Sequence, residues 1–336
     1  LQTTPNPRLL IKFLDSLLAI EGEYEIILVE SQAHSGFFRS IQQIKYEFSV
    51  ATNGRYYLTK SESKDGTLKL KYIKKSPTLL INDSIDKWSF GIVSGGQNNS
   101  WVIDLINSII EQKIPDYEIL LCGPSPYPYK EDEPSQLRIL SDHLINNDIR
   151  APIAFKKNKI IKEALNNNIC ILHDRYILPQ EWFLNFKKFG NYFDVLCLKN
   201  LSIEGNRFSV DWMKFYFPLN SRFKINRALN YDQWHFEAII PGGAMVLKKN
   251  LVEDYLFDER LFWDELEDMQ ISKMAYLNGV LISIDKNNFF ISREVRHKTH
   301  KGGVRFLKII QIYNWIKALI KDFLKYRKKV NSYKDV

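Results

Sequence analysis

Six carboxylates crowd the stretch FDERLFWDELEDMQIS: Asp258, Glu259, Asp264, Glu265, Glu267 and Asp268. A run of acids is usually a solvated helix face. This one is interleaved with Leu261, Phe262, Trp263, Leu266 and Met269, so part of it is expected to face inward. A carboxylate set against apolar and aromatic neighbours has its pKa raised towards the range useful for a general base. A second candidate, Asp174, follows an apolar run in ICILHDRYILPQEW, between His173 and Arg175. An acid at the C-terminal end of a buried strand lies at the mouth of an α/β sheet, where ligands of such folds gather. The ordinary alternative is a turn or cap residue. In IPGGAMVLKKN, Gly242 and Gly243 either let backbone approach a ligand closely or simply make a tight turn.

The elements that must position these residues read as alternating strands and helices from about Trp88 to His300. WSFGIVSGG is a strand ending in glycines, WVIDLINSIIEQ an amphipathic helix, and YEILLCG an apolar strand. APIAF, NICIL and YFDVLCLKN are further short buried-strand candidates, with a helical KNKIIKEALNNN between the first two. Strands alternating with helices of this length predict an α/β layer with a largely parallel sheet.

Taken in order, these stretches resemble the GT-A glycosyltransferases, particularly the inverting enzymes of family 2. FGIVSGGQNNSWVIDLINSIIEQKIPDYEILLCG resembles the opening strand, helix and second strand of that nucleotide-binding half. FKKNKIIKEALNNNICILHDRYILPQEWF resembles the run from the basic-Asn segment through the DxD strand to the Pro and Trp that follow it. PGGAMVLKKN, FDERLFWDELEDMQIS, LNGVLISID and VRH then follow in the family's order, so the resemblance covers roughly residues 88 to 300.

The resemblance implies a fold: α/β of GT-A type, Rossmann-like with a mostly parallel central sheet. It also implies roles. Asp268 would be the catalytic base beside Glu267. Lys157, Asn158, His173 and Arg175 would meet the phosphates of a nucleotide-sugar donor, and Gly242, Gly243 and Trp263 would form the acceptor and sugar wall. Asp174, with His297 or His300, would hold a divalent cation, Mn²⁺ or Mg²⁺, because carboxylate and diphosphate oxygens are hard ligands. The implied partners are a nucleotide-sugar donor and a saccharide or lipid-linked acceptor in surface-polysaccharide assembly. Three places depart from the family's pattern. Leu172 stands where the first Asp of the DxD motif belongs, CGPSPYPY replaces the acidic residue that usually reads the nucleobase, and Gln270 replaces the acid that often follows the catalytic pair by two positions. Leu172 keeps a second reading open, a non-catalytic carbohydrate- or partner-binding module on the same scaffold.

Composition excludes several classes. No run approaches the roughly 18 to 20 apolar residues of a membrane-spanning helix, and three scattered cysteines make neither a disulfide framework nor a metal knuckle. The formal charge of +8 lies wholly in residues 301–336, where ten Lys/Arg face two acids. The first 300 residues are neutral, which argues against nucleic acid as a partner.

Three parts are therefore expected. Residues 1–85 form an N-terminal α+β segment of unassigned role, with RYYLTK and TLKLKYIKK as a β-hairpin and the end of a preceding domain as one reading. Residues 86–300 form the GT-A domain. Residues 301–336 form a basic C-terminal helix with Ile309, Ile312, Tyr313, Ile316, Leu319, Ile320 and Phe323 on one stripe. Over 304–330 that helix either lies on an anionic membrane surface or docks on the protein's own body. A cytoplasmic setting, peripheral on the inner face of the membrane, is the expected location.

Overall fold

The computed structural model describes residues 27–31, 46, 56–61, 67–74, 84–140, 152–191, 193–208, 211–214, 227–235, 237–253, 256–261, 266–277 and 280–294. The expected helix over 301–336 lies outside them, as do Trp263, His297 and His300.

Near the N-terminus, strands β1 (Ile27–Ser31), β2 (Tyr56–Ser61) and β3 (Thr67–Lys74) form a sheet in the order β1-β3-β2. β2 and β3 are antiparallel, with Tyr56 opposite Lys74 and Ser61 opposite Lys69, which is the expected hairpin.

The main body opens with β4 (Lys87–Val93), α1 (Asn99–Ile110), β5 (Asp116–Cys122) and β6 (Leu137–Leu140). Next come α2 (Ile153–Glu163), β7 (Asn168–His173), β8 (Tyr176–Ile177), α3 (Trp182–Phe189) and β9 (Val195–Ser202). Three two-residue strands follow, β10 (Met213–Lys214), β11 (Arg227–Ala228) and β12 (Ala238–Ile239), and pair with one another. The described chain closes with β13 (Ala244–Lys248), α4 (Lys249–Val252), α5 (Glu267–Leu277) and β14 (Ile282–Ser292).

The central sheet has eight strands in the order β6-β5-β4-β7-β13-β9-β14-β8. β6, β5, β4 and β7 are mutually parallel, and β9 is parallel to β14. β13 runs antiparallel between β7 and β9, and β8 antiparallel to β14. The mostly parallel α/β architecture expected from the sequence is thus present and consistent with a GT-A type of fold.

Period-two alternation drives the packing. In β7, Ile169 and Ile171 face one layer, with Ile160 and Ile161 of α2 and Ile271 and Ala275 of α5. Cys170 and Leu172 face the other, with Leu105 and Ile109 of α1 and Trp182 and Phe186 of α3. Trp88, Phe90, Trp182 and Phe186 form an aromatic knot there, with the Trp88 and Trp182 rings edge to face at 5.1 Å.

One sequence expectation is corrected. APIAF is not a strand: Ile153 to Phe155 are the first turn of α2, with Pro152 at its N-cap. Proline suits the start of a helix, where its missing N–H leaves no bond unmade. The apolar residues of the run then continue a helical stripe through Ile160 and Ile161.

Candidate active site

The strand order itself locates a site. From β4 the chain moves outward through α1, β5 and β6, then returns through α2 to β7 on the other flank of β4. The carboxyl ends of β4 and β7 therefore splay at a topological switch point, where open α/β sheets bind ligands. A cavity of about 290 Å³ lies there, lined by Val93, Ser94, Gly95 and Gln97 after β4, Ile153 and Lys156 of α2, and His173 and Asp174 after β7. The Ser94 hydroxyl donates to the Asp174 carboxylate at 2.7 Å, joining the two strand ends. The Lys156 ammonium donates to the Ser94 carbonyl at 2.7 Å. Leu172, where the resemblance expects an acid, is fully buried in the core instead.

A glycine turn carries the site sideways. The backbone N–H of His173 donates to the Gly243 carbonyl at 2.9 Å, so the loop after β7 touches the residues entering β13. A Cβ on Gly243 would lie 2.3 Å from Arg175 Nη2, and one on Gly242 would lie 3.1 Å from both Asp268 Oδ2 and Glu267 Oε1. The two glycines thus separate Arg175 from the acidic pair by the thickness of a bare backbone. Arg175 is held by Glu294, Nε to Oε2 at 3.2 Å, and its Nη1 lies 3.1 Å from His173 Nδ1.

Glu267 and Asp268 open α5, where the positive end of the helix favours carboxylates. The residue before them, Leu266, is exposed and held at φ 64°, a left-handed conformation that costs a leucine roughly 1 kcal/mol or more. Lys157 lies fully buried beneath the pair. Its ammonium meets Glu267 Oε1 at 2.9 Å and donates to the Gly242 carbonyl at 2.7 Å. Burial pushes that ammonium below the ordinary lysine range, and Glu267 opposes the shift. For Asp268, burial raises the carboxyl above the ordinary range and the charge of Glu267 adds to it, while Lys157 and the N–H groups of Met269 and Gly242 pull the other way. A carboxylate so placed is a stronger base than a solvated one.

The structure therefore brings together His173, Asp174, Arg175, Gly242, Gly243, Lys157, Glu267 and Asp268. Asn158 does a different job from the one its neighbour suggests. Its Nδ2 donates to the Phe257 carbonyl and to Glu259 Oε1, and its Oδ1 accepts from the Phe257 N–H, clamping the 257–259 loop. Lys157 likewise turns to the acidic pair, whereas Lys156 lines the cavity. Sequence reasoning did not single out Ser94, Gln97 or Lys156; the strand-glycine-helix pattern of VSGGQNNSW was the signal for the first two.

The described residues do not by themselves fit a divalent cation. Asp174 is the only carboxylate among them lining the cavity, and no group of three or more His, Cys, Asp or Glu side chains among them is placed to hold a metal.

A crystal structure of S. aureus TarS 1–349 is similar at a TM-score of 0.42 and 18% identity, over 62% of this chain and 60% of that one. The TarS 1–349 complex with UDP-GlcNAc gives 0.43 and 18%, over 65% and 61%. The complex with UDP gives 0.41 and 17%, over 62% and 60%. The match thus spans about three fifths of these structures' own length. No family model and no curated protein matches the sequence. At these values the likeness assigns neither an activity nor a ligand to the chain.

Proposed function

We propose that this chain is a glycosyltransferase that moves a sugar from a nucleotide-sugar donor to a saccharide or lipid-linked acceptor. The observation that carries this reading is the continuity of two half-sites. A cavity at the switch point is lined by Lys156, His173 and Asp174, and across the Gly242-Gly243 turn stands Asp268, a carboxyl whose pKa is raised by burial. The sequence resemblance to inverting GT-A enzymes supports the same assignment.

In this mechanism the donor diphosphate occupies the cavity and the sugar lies against the glycine turn. Asp268 takes the proton of an acceptor hydroxyl as that oxygen bonds to the anomeric carbon. The bond from the anomeric carbon to the diphosphate oxygen breaks with its electron pair, and the nucleoside diphosphate leaves with inversion. Lys157 holds Glu267 and the Gly242 carbonyl in place, and Arg175 presents its guanidinium along the turn. Surface-polysaccharide assembly, with the basic segment 304–330 on the inner face of a membrane, is the proposed setting.

Leu172 in the core favours a second reading, a binding module that retains the scaffold without turnover. A thermal-shift screen of UDP, GDP and TDP, followed by a transfer assay with the nucleotide sugar of the best binder, separates the two. Binding with transfer that Asp268→Asn abolishes supports the enzyme. Binding without transfer, or no shift with any nucleotide, moves the weight to the non-catalytic module.

A further inference from the structure

Lys156 occupies an unusual position on α2. Ile153, Lys156, Lys157, Ile160 and Ile161 share its buried stripe at spacings of three and four, while Lys162 points to solvent. A charged side chain on an apolar stripe is costly unless an opposite charge or a set of dipoles meets it. Lys157 meets Glu267. Lys156 lines the cavity, and its ammonium donates at 2.7 Å to the carbonyl of Ser94, the residue whose hydroxyl also holds Asp174. The cavity thus sets a fixed cation beside a carboxylate already engaged by a hydroxyl. The first turn of the neighbouring α1 contains no acid, and Asn98 makes no side-chain cap.

From this arrangement we infer that Lys156 is the diphosphate-binding cation of the cavity, so that the site grips a pyrophosphate group through the chain's own ammonium and not solely through a divalent metal. The inference rests on the donor reading given above and assigns the charge that receives the departing diphosphate. Lys156 makes a point-charge contact at the cavity wall, where it stabilises negative charge as it accumulates on the leaving group.

Calorimetric titration of the full chain with inorganic pyrophosphate and with UDP, both in excess EDTA, tests it. Wild type is expected to bind both ligands. Lys156→Met is expected to bind them about ten- to a hundredfold more weakly, the value of a charge-assisted hydrogen bond. Lys156→Arg should recover most of the loss, and Lys162→Met on the solvent face of the same helix should bind as wild type does. Wild type that binds neither ligand until Mn²⁺ or Mg²⁺ is restored overturns the inference, and that arm is independent of whether any variant folds. A folded Lys156→Met that binds as tightly as wild type overturns it as well. Lys156-dependent binding of pyrophosphate with no gain from the nucleoside supports the inference while removing the nucleotide-sugar reading, so the two fail separately.

Discussion

Lys157 and Glu267, 110 positions apart, meet Nζ to Oε1 at 2.9 Å with the lysine wholly excluded from water. This contact ties α2, which lines the switch-point cavity, to α5, which carries Asp268. Neither charge is tolerable alone at that depth, so the pair fixes how the two halves meet. Removing one partner of a buried ion pair costs about 3–5 kcal/mol, because the other charge is left uncompensated. Lys157→Met is therefore expected to lower the denaturant midpoint severely, and Lys157→Met combined with Glu267→Leu to recover a large part of the loss. Urea titrations of the single and double variants check this.

Asp268 is expected to behave in the opposite way. Its carboxyl is raised by burial and by Glu267, so ionising it works against folding. Asp268→Asn should leave thermal stability unchanged or improved at neutral pH while lowering transfer about a hundred- to ten-thousandfold. Melting curves and initial rates on one preparation decide the matter.

The same shift predicts a pH dependence. Between the ordinary aspartate pKa of about 3.9 and the raised folded value, the folded chain keeps a proton that the unfolded chain has released. Stability from this group is thus present in full below the ordinary value and lost as pH rises through the folded one. Wild type should lose ground to Asp268→Asn across that window. The acid limb of kcat/KM should also lie above the usual carboxylate range, since the base works only when ionised.

Gly243→Ala would place a methyl 2.3 Å from Arg175 Nη2, the far end of a flexible side chain. The fold can absorb this by moving the guanidinium, so the melting temperature should change little. The guanidinium then leaves His173 and Glu294, and kcat/KM is expected to fall by about a hundredfold, the effect of a misplaced positioning group. Near-wild-type kinetics in a folded Gly243→Ala would remove Arg175 from the site.

Asn158→Leu deletes a side chain that makes three hydrogen bonds to the 257–259 loop. Two of the partners are the N–H and carbonyl of Phe257, and leaving buried partners unmatched is expected to cost about 2–4 kcal/mol. Differential scanning calorimetry measures it.

The sheet was legible because NICIL, YEILLCG and YFDVLCLKN are apolar runs bounded by turns, the pattern of strands buried on both faces. APIAF has the same look, and a short apolar run does not distinguish a strand from the first turn of a buried helix. Asp174, Arg175, Gly242, Gly243 and Asp268 were legible through residue type and order along the chain. The division of labour between Lys156 and Lys157 was not. Adjacent lysines on a helix point about 100° apart, and only packing decides which reaches the cavity and which the acidic pair. Nor does sequence announce that Ser94 meets Asp174 across 80 positions, or that Leu266, with no residue-type signal for φ > 0, adopts 64°.

The antiparallel insertion of β13 between β7 and β9 sets an order of assembly on the ribosome. The parallel unit β6-β5-β4-β7, with α1 and α2, emerges first and contains both walls of the cavity. β13 then pairs with β7 and joins β9 to the sheet, bringing the glycine turn with it, and α5 follows with Asp268. Domains are made from the N-terminus at about 5 to 20 residues per second, so tens of residues separate these events by seconds. During that interval the nascent chain holds every residue that lines the cavity but not yet Gly242, Gly243, Glu267 or Asp268.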